Sequence, residues 1–226
     1  MRFLVVLALA GIAVAQTSNY QMKSINADKK GYYSAKTTYP HFANLGKTGE
    51  IANAAISDWT KSAQTAWVKS AAKNPQAPRV PYEFLATPTV HRNDLRVISL
   101  YFTVYEFTGG AHGNTNFVCM NFGQANGQVR KLSIGDLFMP GFDYKRYLSD
   151  QILAQLQGVE RAAWVAGAEV VEIKPAQLEN FTIHKDGLYF LFPPYELGPY
   201  SSGTFKVLVP YTKLMEHLNK GVLFAR

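Results

Sequence analysis

Cysteine is almost absent from this sequence. Cys119 stands alone, so no disulfide can close within the chain and stability has to come from packing. Charge is scarce as well, at 17% of residues against 47% hydrophobic ones, a balance that excludes a disordered, self-repelling chain. No apolar run reaches the ~20 residues of a membrane-spanning helix. The run at Phe3–Ile12 has about half that length.

Familiar catalytic signatures are missing too. The histidines are His41, His91, His112, His184 and His217, and none is paired at the four-residue spacing that puts two zinc ligands on one helix face. There is no Gly-x-Ser-x-Gly nucleophile turn and no Gly-rich phosphate loop. Cys119 falls in an expected strand with no basic neighbour in sequence, which favours an inert small hydrophobe over a thiolate. No catalytic residue, metal ligand or cofactor is assigned on these grounds. Carboxylates are thinly spread, so an envelope hydrolase with dispersed catalytic residues stays open as the alternative.

What is present begins at the amino terminus. Arg2, the apolar run Phe3–Ile12 and the small-x-small triplet Ala13-Val14-Ala15 have the order of an export signal, cut before Gln16. This predicts a signal peptide over residues 1–15 and a secreted or periplasmic protein. The formal net charge of +7 favours anionic surfaces, but the basic residues are scattered and nucleic acid is not an expected partner.

Prolines 75, 78, 81 and 88 crowd the stretch Lys73–Pro88, which reads as a linker rather than a helix interior or central strand. It divides the chain into residues 16–88 and 89–226. In front of it, Gly31–Tyr39 reads as a strand and Gly49–Ala71 as a helix with Ile56, Trp59, Ala63 and Trp67 on one face. Behind it, Arg96–Phe107 alternates as a strand, with Ile98, Leu100, Phe102 and Val104 on one side. Asn116–Phe122 follows as a second strand, and Asn126-Gly127 turns into a third over Gln128–Leu132. An amphipathic helix is predicted over Tyr144–Ala163, with Leu148, Ile152, Leu156 and Val159 inward. Asp186-Gly187 should turn between Phe181–His184 and Leu188–Phe192, with Phe205–Pro210 as the last strand and Thr212–Asn219 as a closing helix. Hairpins with helices beside them make an α+β pattern, antiparallel sheets in two closely associated subdomains.

Two segments stand out. Gly109-Gly110-Ala111-His112-Gly113 lies between two strands, where Gly109, Gly110 and Gly113 suit a tight structural loop or an anion-binding nest. Pro194-Tyr195-Glu196 with Tyr200 and Gly203 suits a binding loop, although tyrosines anchoring an irregular connection explain it equally well.

The motif Tyr105-x-x-Thr108-Gly109-Gly110-Ala111-His112-Gly113 resembles the signature of the RsiV-like extracytoplasmic domain family. Leu132-x-x-x-Asp136-Leu137-Phe138 fits it, as do Gly187-Leu188-x-Phe190-x-Phe192-x-Pro194-Tyr195-Glu196, Tyr200, Gly203, Val209-Pro210-Tyr211 and Leu214. Together they cover Leu95–Leu218. The region Tyr32–Ala71 is similar to the preceding domain of that family and to the non-catalytic part of the peptidoglycan deacetylase PdaC. The resemblance implies an α+β fold. It also implies a non-catalytic binding or sensor-type module of the bacterial cell envelope, with lysozyme or peptidoglycan as partner. His112, Tyr195, Glu196 and Tyr200 are the candidate binding residues.

Overall fold

A computed structural model describes residues 19–73, 76–167 and 169–224. The expected signal peptide, residues 1–15, lies outside the described residues.

Among the described residues nine strands form two sheets. Strands β1 (Tyr20–Lys29), β2 (Tyr33–Phe42), β3 (Tyr82–Asn93), β4 (Val97–Phe107), β5 (Asn114–Ala125) and β6 (Gln128–Lys131) lie side by side in chain order in the larger sheet. All neighbours are antiparallel except β2 and β3, which run parallel because the helix α1 (Gly46–Ala71) carries the chain back between them. Strands β7 (Phe181–Ile183), β8 (Gly187–Phe192) and β9 (Phe205–Pro210) make an antiparallel sheet of their own. The remaining helices are α2 (Tyr144–Leu156) and the single turns α3 (Ala163–Ala166), α4 (Pro175–Leu178), α5 (Tyr211–Leu214) and α6 (Lys220–Leu223). The architecture is α+β.

α1 covers one face of the larger sheet. Its buried stripe runs Ala52, Ile56, Thr60, Gln64, Trp67 and Ala71, at three- and four-residue steps. Trp59 lies against Phe102 of β4 with ring centroids 4.4 Å apart, and Trp67 packs on Phe84 of β3. Both tryptophans therefore serve the core. The second core gathers α2, through Leu148, Ile152 and Leu156, against Phe181, Leu188, Phe190, Phe205, Val207 and Val209 of the smaller sheet.

Several local expectations change. The proline stretch ends inside a strand: residues 82–88 belong to β3, and Pro88 sits opposite Phe102 of β4. The register shows why this is tolerated. β2 pairs with β3 only as far as Ala86, so at Pro88 one side of β3 has no strand to receive an N–H. The helix expected over Tyr144–Ala163 stops at Leu156, ahead of Gly158, and resumes as a 3-10 turn at Glu160–Ala162. The closing helix expected over Thr212–Asn219 stops at Leu214 with α5, and α6 begins only at Lys220, past its expected end. β1, an edge strand mostly open to solvent, has too few apolar positions to announce itself.

The two sheets meet edge to face. β7 is an edge strand, and side chains from β4 and β5 complete its open backbone groups. Ser99 Oγ accepts from the Ile183 N–H at 2.7 Å and donates to Asn121 Oδ1 at 2.6 Å, while Asn121 Nδ2 donates to the Phe181 carbonyl at 2.9 Å. Both side chains are buried, so this polar seam carries hydrogen bonds that water cannot supply.

Candidate functional site

Two loops converge beyond one end of that seam. The first, residues 108–113, joins β4 to β5, and the second, residues 193–204, joins β8 to β9. Gly109 and Gly110 have φ of +99° and +93°, a region that side chains strongly disfavour. Gly113 is needed for space instead, since a Cβ there would run into the Tyr105 ring.

The His112 ring stacks on Tyr200 with centroids 3.8 Å apart and planes 17° from parallel, and Tyr195 follows 5.5 Å from Tyr200. Tyr200 OH donates to the Gly113 carbonyl at 3.0 Å, and His112 Nδ1 approaches the same carbonyl at 3.0 Å. A carbonyl only accepts, so Nδ1 carries a proton and donates it there. The result is a short ladder of three rings, His112–Tyr200–Tyr195, clamped at the glycine loop.

Tyr195 ends the ladder at 63% exposure and with φ of +72°. Pro194-Tyr195 occupies the centre of a turn closed by the Glu196 N–H on the Pro193 carbonyl at 3.2 Å. Proline followed by positive φ is the type II pattern, which ordinarily takes glycine at the second position. A tyrosine held there is strained, and its ring is largely exposed. Glu196 is exposed as well. Its Oε2 accepts from Gln177 Nε2 at 2.7 Å, while Gln177 Oε1 accepts from the Lys174 N–H at 2.8 Å and so fixes the amide at the start of α4.

Between these groups runs a groove of about 480 Å³, lined by Asn114, Thr115 and Asn116 of β5, Lys174 and Gln177, and Pro194, Tyr195 and Glu196. It adjoins a hollow of about 250 Å³ reaching Phe117, Asn180 and Leu191, with Asn116, Gln177 and Glu196 common to both. The groove thus lies between the two sheets, with Tyr195 at its rim and amide side chains along its walls. Asn114, Asn116, Gln177 and Asn180 carry no sequence signal. They come from segments some sixty residues apart, and ordinary amides make no motif.

His112, Tyr200 and Tyr195 are brought together, and Glu196 lies next to them in the turn. No hydrogen bond joins His112 to Glu196 among the described residues. No cluster of three or more metal-ligating side chains occurs among the described residues either. Burial pushes the Cys119 thiol up, and its Sγ donates to Asn180 Oδ1 at 3.1 Å. A hollow of similar size at the start of α2 is lined by Asp143, Lys145, Arg146, Asp150 and Glu172, charges of both signs that largely cancel.

Residues 26–115 match the family model described as deacetylase PdaC, and residues 135–212 match the one described as protein of unknown function DUF3298. The chain is thus similar to a PdaC region in its front part and to a DUF3298 region in its back part. Its fold is shared with a crystal structure of a DUF3298 family member from Bacteroides fragilis, at a TM-score of 0.58 and 18% identity over 90% of this chain and 96% of that one. A second DUF3298 structure, from Pseudomonas aeruginosa, has a TM-score of 0.59 and 15% identity over 92% and 96%. Among curated proteins it is similar to the immunogenic proteins MPB64 of Mycobacterium bovis and MPT64 of Mycobacterium tuberculosis, each 25% identical over 144 residues. That match spans 62% of this chain and 62% of those relatives' length. Both matched families are typically extracytoplasmic. Among the described residues no helix is long and apolar enough to cross a membrane.

Proposed function

We propose that this chain is a non-catalytic recognition module of the bacterial cell envelope, and that its groove takes a saccharide strand of peptidoglycan. One observation carries the reading: an amide-lined groove with a strained, solvent-facing tyrosine at its rim. A sugar ring presents an apolar C–H face and a rim of hydroxyls. Tyr195 supplies a flat apolar surface for the first, and Asn114 and Asn116 offer donors and acceptors for the second, while Gln177 holds Glu196 in place beside them. Glu196 is the single carboxylate lining the groove, and its Oε2 is already engaged by Gln177. A two-carboxylate glycoside hydrolysis would lack its second acid there, which favours binding over cleavage. Lysozyme as partner draws less support: typical lysozymes are basic, and a chain of net charge +7 gives them no long-range attraction.

The test is calorimetry of residues 16–226 with purified glycan-strand fragments of peptidoglycan and, separately, with lysozyme. Binding to the fragments is expected, weakened about tenfold or more by Tyr195→Ala, the size of effect usual for an aromatic anchor. Gln177→Ala should weaken it too. Fragments that give no heat, or bind Tyr195→Ala as they bind the unchanged protein, would overturn the reading. Heat with lysozyme alone would move the ligand to that protein.

A further inference from the structure

The seam between the sheets holds a cluster that the groove does not use. Where β3 pairs with β4 the register shifts, Val90 lying opposite Leu100 and Arg92 opposite Ser99, so His91 is an extra residue in a bulge. A bulge bends its strand and re-aims a side chain. This one turns His91 onto the smaller sheet, with Nδ1 2.7 Å from Thr182 Oγ1 of β7. The ring stands edge-on to Tyr101 of β4 at 5.3 Å, to His184 just beyond β7 at 5.0 Å and to Tyr189 of β8 at 5.0 Å. A single imidazole therefore ties three strands to the bulge.

Its charged and titratable surroundings are mostly cationic or neutral. From β9, Lys206 Nζ donates to Tyr101 OH at 3.0 Å and lies over the Tyr101 and Phe117 rings. His184 Nδ1 accepts from the Asp186 N–H at 3.2 Å, and the exposed Asp186 carboxylate lies 3.4 Å from that same nitrogen, on the His184 side of the cluster. On β3, Arg92 is taken up by Asp94 and by the Leu223 carbonyl. Tyr101 and Tyr189 meet the ring edge-on, and burial keeps the Cys119 thiol of β5 protonated.

We propose that His91 is an acid-sensitive latch between the two sheets, whose protonation loosens the seam and with it the groove at Asn116 and Glu196. The neutral imidazole fits an aromatic box with one hydrogen bond. The cation would lack a counter-charge and would face a second histidine and a lysine. Burial first, then His184 and Lys206, hold the His91 pKa at about 4, below its ordinary 6.5. The opened state therefore takes up the proton first. The latch is at full strength above pH 6.5 and weakens as pH falls from there through about 4. Phe117 and Leu191 transmit the change, because they pack with Tyr101 in one small apolar cluster and also line the hollow that adjoins the groove. That last step rests on the groove reading above; the latch itself does not.

Hydrogen exchange of residues 16–226, corrected for the intrinsic pH dependence of exchange, tests the latch. Protection of the amides of Phe181–Ile183 and Leu188–Phe192 should fall roughly ten- to hundred-fold between pH 6.5 and 4.5. Protection in the middle of α1 should hold. His91→Phe keeps an aromatic ring without the titration and should abolish most of the loss. A loss as large in His91→Phe, or one shared equally by α1, would overturn the proposal. Should that variant fold poorly, proton NMR of the unchanged protein decides instead, since a His91 pKa near 6.5 would overturn it alone. Absence of glycan-fragment binding at pH 7 would count against the groove reading only, and exchange would still judge the latch.

Discussion

Ser99 is an ordinary strand residue in sequence, yet its hydroxyl sits at the join of the two sheets. It accepts from Ile183 and donates to Asn121, both bonds short and both within the buried seam. Ser99→Ala would leave a buried N–H and a buried amide oxygen without partners. A loss of about 2–4 kcal/mol is expected, from the ~1–3 kcal/mol each such group costs, read as a lowered urea midpoint at unchanged slope. Gly110 is a different case. Its φ of +93° is refused by branched side chains, so Gly110→Val should cost about 1 kcal/mol or more. Nothing lies within 4 Å of the added Cβ, so this cost is conformational and not a clash. An unchanged melting curve would point to a role in ligand contact instead.

The turn at Ile134–Leu137 shows how an element depends on one carboxylate. Asp136 accepts two hydrogen bonds from the Arg130 guanidinium, at 2.6 and 2.9 Å, and two more from Ser133. Burial alone would raise its pKa, but the Arg130 and Ser133 hydrogen bonds outweigh that and hold it below the usual 3.8. A carboxylate with a depressed folded-state pKa stabilises above its unfolded value, and the contribution disappears as pH falls through the folded one. Asp136→Asn should therefore destabilise by about 1–3 kcal/mol at pH 7, and the difference should shrink below pH 4. Thermal melts of both proteins across that range check it. Other elements were legible from pattern. Alternation marked β4, and Asn126-Gly127, with φ of 51° and 78°, marked the β5–β6 turn. β3 was hidden because Pro88 and the prolines just ahead of the strand argue against one, and only the sheet reveals that Pro88 faces no β2 partner.

Across the whole molecule the cores interlock at the central strands. Val97 of β4 belongs to the α2 core, Ile98, Leu100 and Phe102 to the α1 core, and Tyr101 to the seam. Cutting the chain at residue 88 would split β3 and uncover the face that α1 packs against. A fragment 89–226 should give no cooperative unfolding transition of its own, whereas residues 16–226 should give one; calorimetry of the two decides. Fold class, most strands, the α1 face and the two conspicuous loops were determined by the sequence alone, since hydrophobic period and turn chemistry act over a few neighbours. The amide groove, the Tyr195 strain and the re-aimed His91 were decided by tertiary structure. They depend on a register shift and on loops some eighty residues apart meeting across two sheets, and no local pattern encodes such a meeting.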